Sequence, residues 1–160
     1  MSRIRYAAAS VAACATIMAV GASAAAAKTV TLHFISKQVY SRISDASGHP
    51  LSPNAAPAVG ERLSNASNDY AGNHKHHAKH PTASDHIVCT LTSTSSALCD
   101  GTIAIGGSMI LGDDFVLNFT SNGPTVVTIT GGTGTYRHAH GTIIAKTVGN
   151  NTDLTIKVSS

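Results

Sequence analysis

From Thr29 to Val39 apolar and polar residues alternate, with Val30, Leu32 and Phe34 on one face and Thr31 and His33 on the other. A period of two predicts a strand. Ile43 to Ala58 breaks the alternation with Gly48, Pro50, Pro53 and Pro57 among small polar residues, so it reads as a loop, expected over the mouth of the fold. Val59 to Ser64 starts a second, weaker strand that runs toward Tyr70. Gly72 to Ser84 is polar and histidine-rich, and reads as a loop. Ile87–Thr92 and Ala97–Ile105 are predicted strands, followed by Ser108–Gly112 and Phe115–Thr120 around Gly112-Asp113-Asp114. Asn122-Gly123-Pro124 is a turn. Thr125–Thr130 is a β-branched strand, Gly131 to Gly134 turns, Tyr136–Val148 returns, and Leu154–Val158 closes the chain with Leu154, Ile156 and Val158 on one face. No capped helical pattern occurs from Lys28 onward. Eight to nine short strands at near-regular spacing predict an all-β sandwich or barrel.

The start of the chain follows different rules. Arg3 and Arg5 precede an apolar, alanine-rich run from Tyr6 to Val20, and Gly21 to Ala27 is all small residues. That order predicts a signal peptide over residues 1–27, cleaved between Ala24 and Lys28, and a secreted domain over 28–160. A membrane anchor is the weaker reading, because a span needs ~20 strongly apolar residues. Val11-Ala12-Ala13-Cys14 is a loose lipoprotein-type box without a polar spacer, which leaves a lipid anchor as a minor alternative.

Removing the leader changes the charge. The full chain has 11 Lys+Arg against 8 Asp+Glu, and loss of Arg3 and Arg5 leaves a nearly neutral domain. No basic stripe interleaved with aromatics is present, so a nucleic-acid partner is not expected. The domain keeps two cysteines, Cys89 and Cys99, and an even count in an exported chain predicts a disulfide. If Ile87 to Ala104 is a hairpin turning at Ser93–Ser96, pairing Leu91 with Ala97 also places Cys89 opposite Cys99. Opposed side chains in a sheet lie at roughly 4.5–5.5 Å between Cβ atoms, close to disulfide range.

The stretch Ile129-Thr130-Gly131-Gly132-Thr133-Gly134-Thr135-Tyr136-Arg137-His138-Ala139-His140-Gly141 carries the most information. It resembles the Gly-Gly-Thr-Gly-x-Tyr/Phe-x-x-Ala-Arg-Gly signature of the allene oxide cyclase and dirigent barrels. Val59-Gly60-Glu61-Arg62-Leu63 resembles that family's Val-Gly-Asp-Arg-Leu strand. Asp85 to Thr90 with Ala97 to Thr102 resembles its bacterial members. The similarity covers about residues 59–148. It implies an antiparallel β-barrel of about eight strands, with an apolar pocket and a few polar residues. The implied work is ring closure or stereochemical control of a reactive intermediate, in the manner of an isomerase or cyclase and without a cofactor. The family's arginine is His140 here, which puts that residue's role in question. Independently, Gly131, Gly132, Gly134 and Gly141 fit a tight turn between strands. A nucleotide-binding glycine loop would have to open a helix, and a strand pattern follows instead.

Candidate chemistry falls in three groups. Asp69 and Asp85 flank the histidine loop near strand ends, where a barrel mouth is expected, and, with His140, are the candidate catalytic groups; Asp113 and Asp114 are further acids. Tyr136, His138 and His140 share one strand face and are the pocket candidates. Ala139, Gly141, Ile143 and Ala145 share the other, and the pattern leaves open which face points inward. His74, His76, His77 and His80 belong to a tract holding, with His86, five of the nine histidines. Neutral imidazoles there could hold zinc, copper or nickel, although no spare cysteine or carboxylate within the tract completes a site. The expected partner is a small hydrophobic molecule. Association with further copies of the chain stays open. The alternative function is a non-catalytic secreted binding module, with metal on the histidine loop.

Overall fold

The computed structural model describes residues 28–159 except 53 and 55; the expected leader, including Cys14, lies outside them. Nine strands are present among the described residues: β1 (Thr29–Ser44), β2 (Arg62–Ala71), β3 (Ala83–Leu91), β4 (Ser96–Ile105), β5 (Ser108–Asn118), β6 (Thr125–Ile129), β7 (Gly131–Gly132), β8 (His140–Val148) and β9 (Asn151–Ser159). One 3-10 turn, Gly134–Tyr136, joins β7 to β8. All pairings are antiparallel, in the order β6-β8-β9-β1-β2-β3-β4-β5-β7. The two-residue β7 continues β6, so one stretch of chain occupies both ends of that order. Residues 125–129 pair with β8, and residues 131–132 pair with Ile110 and Leu111 of β5. Between them Thr130 donates its N–H to the Leu111 carbonyl at 3.0 Å. The sheet thereby closes into a barrel, as expected for the fold class, and both edges are largely protected from further pairing.

This route corrects the reading of the glycine stretch. Gly131 and Gly132 do not turn back toward β8; they are strand residues on β5. The return begins at His140 rather than Tyr136, after the 3-10 turn. The sequence pattern suggested a local hairpin because Ile129 does pair with Gly141, but the residues between them detour across the barrel end. Gly134 has φ +55, and a Cβ there would lie 2.4 Å from Ser108 Oγ.

Two irregularities set which side chains face inward. In β1 the register shifts between Gln38 and Tyr40, so Leu32, Phe34, Ser36 and Gln38 face in, while Tyr40 and Arg42 face out. In β5 the shift lies opposite Asp100, where Asp114 adopts φ 55 and donates its N–H to Asp100 Oδ1 at 3.0 Å. Ser108–Gly112 and Phe115–Thr120, expected as two strands, are therefore one strand with a bulge, which bends it without ending it.

One barrel end is packed shut by Phe34, Ile110, Ile129, Ala139, Ile156 and Val158, with Tyr136 half-buried against them. At the other end Leu91, Ala97, Cys89 and Cys99 form a second apolar cluster. Cys89 and Cys99 are register partners joined by a disulfide, with Cα atoms 4.0 Å apart, as the hairpin alignment predicted.

Candidate functional site

Between the two apolar clusters lies a cavity of about 390 Å³. It opens at the end bearing residues 118–123 and the turn at Asn150. The proline-containing segment 45–61 joins β1 to β2 at that end, but among its described residues none lines the cavity. The two walls differ in chemistry. β1, β2 and β3 contribute Ser36, Gln38, Asn65, Ser67 and Asp85. The remaining strands contribute a mostly apolar surface that includes Ile103, Phe115, Leu117, Val127, Ile143 and Leu154. On β8 the inward set is Ile143, Ala145 and Thr147, which settles the face that the sequence left open. The small residues Gly101, Gly112 and Ala145 on this wall keep the interior from filling.

The polar wall gathers around two carboxyl groups. Asp69 is fully buried, and its register partner on β1 is Ser36. Asp85 pairs with Ser67 across β2 and β3, so the two aspartates occupy diagonal inward positions. Ser36 Oγ donates to Asp85 Oδ2 at 2.5 Å. Neither Asp69 oxygen accepts a hydrogen bond from any donor among the described residues. Burial is the largest cause pushing Asp69 up. The negative charge of the nearby Asp85 adds to it. Together they raise Asp69 from 3.8 to about 8. At neutral pH Asp69 is a neutral acid beside the Asp85 carboxylate, and the pair shares one proton. Asp85 lines the cavity while Asp69 lies behind it. Such a pair can accept a proton from a bound molecule or return one to it.

The other candidate residues lie elsewhere. His138 and His140 are exposed at the closed end, where His140 Nδ1 lies 3.3 Å from the His138 carbonyl oxygen. Tyr136 plugs that end, and none of the three lines the cavity. Asp113 accepts from the Thr130 hydroxyl at 2.6 Å, and Asp114 sits at the β5 bulge. The histidine segment joins β2 to β3 at the closed end, away from the mouth beside which the sequence reading placed Asp69 and Asp85. It folds back over the outside of β1: Gly72 N–H donates to the His33 carbonyl at 2.8 Å. The His74 N–H donates to Asp153 Oδ1 at 2.9 Å, and the His74 ring bonds the same carboxylate. His77 Nε2 is 3.0 Å from Lys37 Nζ, and its ring meets Tyr70 edge-on. Ile35, between Tyr70 and Asp153 in register, is 1% exposed although it faces outward. His76 and His80 are exposed, and no three metal-ligating side chains converge among the described residues.

Ser36, Asn65 and Ser67 were not singled out from sequence. Their signal was the alternation Asn65, Ser67, Asp69 on one face of β2, which resembles a solvent-facing strand edge unless the barrel interior is known to be polar there.

No protein-family model matches the sequence, and no curated protein does. Solved structures do match in fold. Pyocyanin demethylase superposes with a TM-score of 0.57 at 20% identity, covering 81% of this chain and 99% of its own. Two pterocarpan synthase dirigent proteins superpose with TM-scores of 0.56 and 0.54, at 18% and 17% identity. Each covers 82% of this chain, and 94% and 83% of its own respectively. The chain thus shares the barrel fold of the dirigent proteins, the fold that the glycine signature implied.

Proposed function

We propose that this barrel binds a small, largely apolar metabolite in its cavity and moves a proton on it, steering a cyclisation, isomerisation or coupling. The observation that carries this reading is the Asp69–Asp85 pair with Ser36, set on the polar wall of a cavity whose opposite wall is apolar. An apolar wall orients a ligand by shape, and a few convergent polar groups fix its reactive end. Asp85 meets the ligand as base. Asp69 holds the shared proton behind it and returns it through Asp85. Ser36 fixes the Asp85 carboxylate through its hydrogen bond. Polar groups converging inside the barrel favour this reading over a purely passive binding module. The printed names of the structural neighbours, a pyocyanin demethylase and pterocarpan synthases, lend support by analogy only, since a shared fold does not carry a reaction with it. The basic, apolar start of the chain and the disulfide support export as the setting.

The test begins with native mass spectrometry of the exported protein to find a co-purified molecule. That molecule is then incubated with the protein in deuterated water. Wild type should incorporate deuterium or convert the ligand, and Asp85→Asn should bind it but lose at least a hundredfold in rate, the usual scale of acid–base assistance. Undiminished turnover in Asp85→Asn would end this reading.

A further inference from the structure

We infer that the cavity selects a cationic, hydrogen-bond-donating headgroup, such as an ammonium or guanidinium on an apolar body, and rejects carboxylates. The inference rests on the cavity being the ligand site, as proposed above, and adds the charge of the ligand.

Two independent observations support it. First, among the described residues no lysine, arginine or histidine lines the cavity, and the ionisable lining residue is Asp85. A carboxylate entering there would leave water to face a carboxylate, with no cation to replace the lost hydration. Second, Asn65 Oδ1, on the lining of the cavity, is a buried acceptor with no partner among the described residues. Unpaired buried acceptors are rare and costly, and a ligand that brings donors relieves them. Asn65 and Asp69 lie on the same inward face with Ser67 between them, and Asp85 flanks Ser67 on β3. That side of the cavity is rich in acceptors and carries negative charge, opposite a wall that includes Phe115, Val127 and Ile143.

A proton balance follows. With the cavity empty, the aspartate pair holds one proton. A cation seated against Asp85 offsets the lesser of the two causes that hold Asp69 protonated, burial being the larger, so binding lowers Asp69 part of the way and releases a fraction of that proton. The groups facing Asp69 are Ser36 from β1 and Asp85 from β3; β4, β5, β6, β8 and β9 place no titratable side chain on the cavity. Cation affinity should therefore rise with pH through the range in which the pair titrates.

The experiment uses three probes with one aromatic body: 2-naphthylmethylguanidinium, 2-naphthylmethanol and 2-naphthoate. Affinity for the full domain is measured by calorimetry at pH 6 and pH 9, in two buffers of different ionisation enthalpy. The guanidinium should bind at least tenfold more tightly than the alcohol at pH 9, release a fraction of a proton at pH 7, and weaken at least fivefold at pH 6. The naphthoate should bind weakest. Asp85→Asn, checked for fold by circular dichroism, should bring guanidinium and alcohol within threefold of each other. If alcohol or carboxylate binds as well as the guanidinium, the charge inference falls and the cavity reading stands. If no probe binds, both fall. The wild-type ranking of the three probes decides the matter even where the variant does not fold.

Discussion

Replacing Asp69 with Asn separates the cost of its ionisation from the shape of the barrel. The amide is close to isosteric with the protonated acid and still offers a donor toward Asp85, so the variant should fold. In the wild type Asp69 titrates near 3.8 when unfolded and near 8 when folded. Between those values the folded protein holds a proton that the unfolded chain has released. Stability therefore falls as pH rises, by about 1.4 kcal/mol per pH unit for one proton, and levels off above the folded value. A window of roughly four units sets a ceiling near 6 kcal/mol, and relaxation and water penetration around a buried charge commonly remove about half of that. Between pH 5 and pH 9 only the three units from 5 to 8 fall inside that window, about 4 kcal/mol, so a loss of about 2 kcal/mol is the working figure for wild type, relative to Asp69→Asn. The assay is urea unfolding at pH 5, 6, 7, 8 and 9, with the wild-type and variant curves subtracted so that the histidines cancel. Asp45, whose carboxyl is lowered chiefly by the backbone N–H of His49, acts only at pH values below 3.8, outside this window. The variant should lie within about 1 kcal/mol of wild type at pH 5 and be the more stable protein at pH 9. Parallel curves would show that Asp69 ionises freely in the fold, and the proton-sharing account would be wrong.

Three further outcomes follow from the geometry. Replacing both Cys89 and Cys99 with Ser should cost about 2–3 kcal/mol by loop-closure entropy, because the ring they close is short; denaturant midpoints, with intact mass confirming loss of two protons in the parent, check it. Gly134→Val should lose at least 2 kcal/mol or fail to fold, since it combines φ +55 with a Cβ driven onto Ser108, whereas exposed His140→Arg should change stability by less than about 0.5 kcal/mol; thermal melts compare the two. Asp153→Asn should loosen the histidine segment, raising amide exchange from Gly72 to His80 at least tenfold while the β3 and β4 amides stay protected; unchanged exchange would show that the His74 contacts do not hold the segment down.

What was legible in the sequence, and what was not, divides along the range of the interactions. The Cys89–Cys99 pairing could be worked out by hand because a hairpin register is local: once Leu91 opposes Ala97, every other pair follows. The fold could be named because the stretch from Gly131 to Gly141 resembles a known barrel signature over contiguous residues. Its path could not be read, because closure requires β6 and β7 to serve two different partners, β8 and β5, and the choice of partner is a property of the whole sheet. The same limit hid the inward face of β8, where Ile143 and Ala145 lie across from Thr142 and Ile144 with little difference in character.

The aspartates show the deepest version of this limit. β2 looked like a weak strand because its inward positions after Leu63 are Asn65, Ser67 and Asp69. In a barrel packed throughout by apolar side chains, that pattern would be a defect. Here the weakness is what leaves a polar wall beside a cavity. A buried aspartate without donors costs stability unless it keeps its proton, and it keeps that proton chiefly because it is buried, with the charge of Asp85 adding to the effect. Local propensity is therefore poorest where the barrel is best equipped to act on a ligand, and a strand too polar for its place in a barrel is itself a pointer to the site.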